Sequence, residues 1–193
     1  MNRLLKLKHW QLFLLTFGIP FILQFVFAAA LAVTDNAKVV FSIIPIITLV
    51  SFVAFFGWLY ALATNLQRLL PDFLKMNIKR FKIFLFVPTI YISVLCILIF
   101  FMFNHTLKPN APINIKLILT IFSLIIPIHL FSIFCILYSL YFTAKALKTL
   151  ECQCSVSFGD FVGEFFLLWF YPVGIWIIQP RVNKIFKESN DLT

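Results

Sequence analysis

His129 lies two residues after Pro127 in the apolar run Leu117–Ala144, which is built mostly from Leu, Ile, Phe and small polar residues. An ionisable ring at membrane depth is expensive, so a ligand or proton site is the first reading it invites. Ser132, Cys135, Ser139 and Thr143 follow at spacings of three and four, the repeat that places side chains on one helical face. Thr16 and Gln24 bracket Pro20 in an earlier apolar run, and Thr89, Ser93 and Cys96 follow Pro88 in a third. Turned towards a shared interior, such stripes could pass a proton or an ion. The same residue types also bond between packed helices and satisfy carbonyls that proline frees. That second use is the expected one. These runs hold no second His or acid to complete a metal site, so neither a metal nor a cofactor is expected.

Asp160 and Glu164, four residues apart and flanked by Gly159 and Gly163, are the other group with chemical potential. Paired carboxylates can do general acid–base work. Placed just before an aromatic apolar run, they better suit the start of a helix, where the peptide dipoles favour negative charge. An ion pair with Arg181 or with the basic connection is the other option. Cys152 and Cys154 are too close for the usual structural zinc pair, although a juxtamembrane thiol can be lipidated. Asn104-His105-Thr106 matches the glycosylation acceptor pattern. No Gly-rich phosphate loop, Gly-x-Ser-x-Gly elbow, zincin helix or kinase set occurs, so an ordinary enzyme is not expected.

These residues belong to a chain of 193 residues, 62% hydrophobic and 12% charged. Soluble domains run at about half and about a quarter. A water-soluble fold of this size leaves too much surface exposed to hide such a composition, whereas a bilayer accepts it. Four runs reach the ~20 residues needed to cross: about 10–33, 39–63, 83–103 and 117–144. They are read as one domain. The start also resembles a signal peptide, with small-residue cleavage sites in Ala28–Ala32. Its apolar stretch exceeds the usual ~7–15 residues, so a retained span is expected.

The formal charge of +9 is gathered at the ends of these runs. Of the 16 Lys and Arg, only Lys38, Lys108 and Lys116 fall on one side. The positive-inside rule then puts both termini in the cytoplasm. Arg68, Lys79, Arg80, Lys82, Arg181 and Lys184 are therefore expected to meet anionic inner-leaflet lipid, and nucleic acid is not the expected partner. Cys96 and Cys135 fall within the membrane, Cys152 and Cys154 on a reducing side, and no disulfide is expected.

Phe165–Ile178 is strongly aromatic but only fourteen residues long. It would rise about 21 Å as a helix, short of a ~30 Å hydrocarbon core. Trp169, Tyr171 and Trp176 suit an interface, and Pro172 and Gly174 interrupt the run. The expected fold is thus an all-α integral membrane protein: four transmembrane helices plus a C-terminal interfacial or re-entrant aromatic helix over about 159–178. A fifth span is the alternative. Leu59, Leu62, Leu66 and Leu69, and likewise Leu140, Ala144, Leu147 and Leu150, continue helical spacing beyond the membrane edge, so the second and fourth helices should project past it. The stretches Leu59–Leu69 and Leu140–Leu150 also align, as either a parallel internal repeat or a coincidence of composition.

Leu7–Phe13 (LKHWQLF) and Gly163–Asn183 (GEFFLLWFYPVGIWIIQPRVN) resemble stretches of small bacterial inner-membrane proteins with four predicted spans. That resemblance implies a bacterial inner-membrane location and no activity. The leading expectation is a non-enzymatic accessory or partner-binding protein, such as a complex subunit or a defence or immunity factor, with a homo-oligomer or another membrane or cytoplasmic protein as partner. The alternatives are an oligomeric channel or small transporter with a polar path through His129, and an intramembrane or interfacial enzyme.

Overall fold

A computed structural model describes residues 3–31, 37–101 and 115–191, and among these every regular element is helical. A short 3-10 turn, Arg3–Lys6, leads into α1, His9–Leu31, which contains one π-helical turn at Leu14–Gly18. Then come α2, Ala37–Leu69; α3, Ile78–Phe101; α4, Ile115–Cys152; α5, Phe158–Trp169; and α6, Tyr171–Asp191. The first four are long and apolar enough to cross a bilayer, which makes this a multi-pass transmembrane helical bundle. Asn104-His105-Thr106 lies outside the described residues, as do 34–36 of the five-residue turn 34–38 expected between the first two spans, whereas Ala37 and Lys38 already belong to α2.

The helices overrun the expected spans. α2 has 33 residues and α4 has 38. At 1.5 Å per residue these reach about 50 and 57 Å, well beyond the hydrocarbon thickness. The surplus packs at the end of the bundle that carries the amino terminus, the α2–α3 connection and α5–α6, called here the basic end. Leu59, Leu62 and Leu66 of α2 and Leu140, Ala144, Leu147 and Leu150 of α4 are buried there. The α4 stripe thus becomes core throughout, and the α2 stripe does so up to Leu69, which is exposed at the end of its helix. Towards the other end the side chains turn outward. Phe25, Val50, Val94, Leu124 and Phe134 are exposed, as suits a surface solvated by lipid chains.

The C-terminal segment is two helices rather than one over 159–178. Phe170 leaves the helical region at φ −85°, ψ 54°, and Pro172 supplies a fixed φ for the first turn of the next helix. The chain turns by 119° at this point, so α6 doubles back instead of continuing α5. A single straight crossing would need the two halves nearly collinear. α6 then runs on to Asp191 through Pro180 and packs against α1.

Candidate functional site

The polar stripe of α4 divides in two. Ser132, Cys135, Ser139 and Thr143 are buried, but the hydroxyls of the last two serve their own helix. Ser139 Oγ donates to the Cys135 carbonyl at 2.9 Å, and Thr143 Oγ1 to that of Ser139 at 2.8 Å. On α3, Thr89 bonds to Leu85 and Ser93 to Thr89 in the same way. Side chains that bond to their own preceding turn offer little to a passing ion. His129 lies off that buried face. It is exposed on the flank of α4, with Nδ1 3.2 Å from the Tyr91 hydroxyl of α3.

Thr16 and Gln24 belong to a groove between α1, α2 and the α5–α6 bend. The hydroxyls of Thr16, inside the π turn, and Tyr171 lie 2.7 Å apart. Gln24 Nε2 donates to Thr48 Oγ1 at 3.2 Å. Between these two bonds lies a cavity of about 330 Å³, walled mainly by Phe17, Phe21, Phe52 and Phe55. Such a place suits a small apolar guest with one or two polar atoms.

At the basic end, Asp160 and Glu164 do different jobs. Asp160 is exposed and caps α5, its carboxylate accepting from Ser157 N at 2.7 Å and Ser157 Oγ at 2.8 Å. Those bonds hold its carboxyl below the usual carboxylate range. Glu164 is buried and pairs with Arg181 at 2.8 Å and Lys148 at 3.6 Å. Arg181 also forks onto Glu151, with Nε to Oε1 at 2.9 Å and Nη2 to Oε2 at 2.5 Å. One guanidinium thereby ties α4, α5 and α6 together, the planar bidentate use for which Arg is suited. Burial alone would raise the Glu164 carboxyl, but the hydrogen bond from Arg181 and the charges of Lys148 and Arg181 outweigh it and hold it low. Arg181→Met should cost about 2 kcal/mol. That is less than a fully buried pair, because Arg181 is partly exposed and Lys148 remains with Glu164. The sign follows from the lowered carboxyl. The contribution is complete above the ordinary glutamate value of about 4.3 and fades as the pH falls through the lowered folded value. Thermal midpoints in detergent at pH 7 and at pH 4 should therefore differ less for the variant than for the parent.

The sequence did not single out Gln179 or Trp58. Gln179 is fully buried, accepts from Trp58 Nε1 at 2.9 Å, and donates towards the carbonyls of Leu7 at 2.9 Å and Leu5 at 3.3 Å. Its only sequence signal is a Gln between apolar residues and Pro180. Among the six cations singled out by sequence, Arg68 and Lys82 line one cavity, with Lys82 Nζ 5.7 Å from the centre of the Tyr60 ring. Lys79 and Arg80 lie on the first turn of α3, and Lys184 is exposed 3.9 Å from Glu188. Cys96 and Cys135 are buried free thiols, Cys152 and Cys154 exposed ones. Among the described residues no three His, Cys, Asp or Glu side chains form a metal-sized cluster. No family model, curated protein or solved structure matches the chain.

Proposed function

We propose that this chain is a non-enzymatic component of a membrane complex, and that it works by binding another membrane-embedded protein through the α3–α4 flank marked by His129 and Tyr91. The observation carrying this reading is the exposed imidazole, partnered among the described residues by one tyrosine hydroxyl on a surface otherwise suited to lipid. A ring with a second nitrogen open to hydrocarbon is costly, and a hydrogen bond to a neighbouring helix offsets that cost. The buried stripe of α4, where Ser139 and Thr143 bond to their own helix, favours this use over a conducting path. The cation distribution supports cytoplasmic termini, and the resemblance at both ends of the chain supports a bacterial inner membrane.

Native mass spectrometry of protein extracted with its surrounding bilayer tests the proposal. A stoichiometric protein partner, a second copy or another membrane protein, should be present. His129→Leu should weaken its retention about fivefold, the scale of one interhelical hydrogen bond of ~1 kcal/mol. A lone protomer overturns the reading. The groove between Thr16 and Gln24 favours a second one, passage or binding of a small solute, in an oligomer if the solute is to cross. Proteoliposome flux unaffected by Gln24→Ala and by His129→Ala would remove its support.

A further inference from the structure

Where α2 ends and α3 begins, the connection from Leu70 to Asn77 closes over a cavity of about 550 Å³ at the basic end. Arg68, Lys75 and Lys82 line it. Lys75 is already held by Asp72 at 2.6 Å. Among the described residues no carboxylate pairs with Arg68 or Lys82. Gln67 also stands in the wall and is only 6% exposed. Its Oε1 accepts from the Met76 backbone N–H at 2.9 Å, which fixes the orientation of the amide. That leaves Nε2 as a buried donor with no acceptor, one of two such side-chain atoms among the described residues. An unmet buried donor costs about 1–3 kcal/mol, so its persistence beside two cations without a carboxylate points to an oxyanion as the missing acceptor.

We propose that this cavity is the binding site for the phosphate headgroup of an anionic phospholipid. Phosphate oxygens would accept from Gln67 Nε2 and lie between Arg68 and Lys82, the arrangement by which basic pockets at the ends of transmembrane helices hold headgroups. The surroundings favour a lipid over a free anion. Ile83, Phe86 and Ile90 follow Lys82 directly up α3 on one face and are exposed, giving the acyl chains an apolar track that starts at the cavity. The Tyr60 ring, under Lys82 and 6.1 Å from Phe86, sits at the junction of the charged and oily parts. The site is separate from the His129 flank and does not depend on the partner reading.

The test uses the full chain in phosphatidylcholine nanodiscs containing a minor fraction of phosphatidylglycerol, with retained lipids counted by native mass spectrometry. The parent should keep one phosphatidylglycerol. Arg68→Gln with Lys82→Gln should cut that retention by about twenty-five-fold, roughly fivefold for each charge-assisted contact to the phosphate removed. Lys79→Gln with Arg80→Gln removes the same charge from the neighbouring turn, outside the cavity wall, and should leave retention within about twofold. Gln67→Glu keeps the acceptor for Met76 and replaces the donor with an anion, so it should lower retention about tenfold without touching a cation. Equal losses in the two double variants would reduce the effect to diffuse surface charge and overturn the proposal. So would unchanged retention in Gln67→Glu, or equal retention of phosphatidylcholine. Displacement of the lipid by inorganic phosphate would overturn the lipid assignment and give the site to a soluble anion.

Discussion

Replacing Gly174 with alanine should abolish correct packing of the C-terminal hairpin and cost ~4 kcal/mol or more, beyond the range of ordinary overpacking. Gly174 lies in the first turn of α6, where the helix folds back on α5, and its amide donates to the Phe170 carbonyl at 2.9 Å. A Cβ there would overlap the carbonyl carbon and oxygen of Leu167. Those are main-chain atoms of a helix and cannot rotate aside as a flexible side-chain tip would. Relief requires α5 and α6 to separate, which would disturb Leu168, Tyr171 and Ile175 in the core. Gly163→Ala is the matched control, because nothing lies within 4 Å of a Cβ at that position. As an exposed helical glycine it should gain about 0.5–1 kcal/mol. Fluorescence-detected size exclusion after a heating series should show Gly174→Ala aggregated or unfolded at temperatures where Gly163→Ala is intact. Equal midpoints would mean that α5 and α6 do not meet as described.

Gln179→Leu should be the next most damaging change, at about 3–4 kcal/mol, from two orphaned buried groups at about 1–3 kcal/mol each. The side-chain amide holds three parts of the chain together: Trp58 on α2, the Leu5–Leu7 approach to α1, and Asn183 one turn along α6. Leucine matches its volume but leaves the Trp58 indole N–H and the Leu7 carbonyl without this partner. Water cannot easily substitute in a core this apolar. Asn183 Nδ2 still reaches Leu7 O at 3.2 Å, which limits the loss on that side. Trp58→Phe removes the donor and should cost less than Gln179→Leu. The double variant should cost clearly less than the two singles added, since the phenyl ring introduced by Trp58→Phe has no N–H left to strand. Strict additivity in chemical-denaturation midpoints would show that Trp58 and Gln179 are not coupled.

Much of this architecture follows from properties that add up along the chain. Four spans can be read from hydropathy because a bilayer responds to the summed transfer cost of about twenty consecutive residues, wherever they pack. The projection of α2 and α4 past the membrane edge was legible for a related reason. Leu59, Leu62 and Leu66, and Leu140, Ala144 and Leu147, keep helical spacing after the polar residues begin, so each helix declares an apolar face beyond the oily part. Pro172 and Gly174 likewise announced an interruption in the aromatic segment.

Other features depended on distances in space. Gln179 and Trp58 are 121 residues apart, Thr16 and Tyr171 are 155, and Gln179 and Leu5 are 174. No local pattern marks such pairs, because either partner alone reads as an isolated polar or aromatic residue. His129 and Ser132 have the spacing of one helical face, yet the neighbouring helices cover Ser132 and leave His129 exposed. Glu164 and Asp160 form a matched pair in sequence, yet only Glu164 meets Arg181 and Lys148. Composition and periodicity determine which segments enter lipid and which face of each helix seeks cover. Tertiary packing decides which polar atoms on those faces meet, because a hydrogen bond depends on position to a fraction of an ångström, and the packing of all the helices together sets that position.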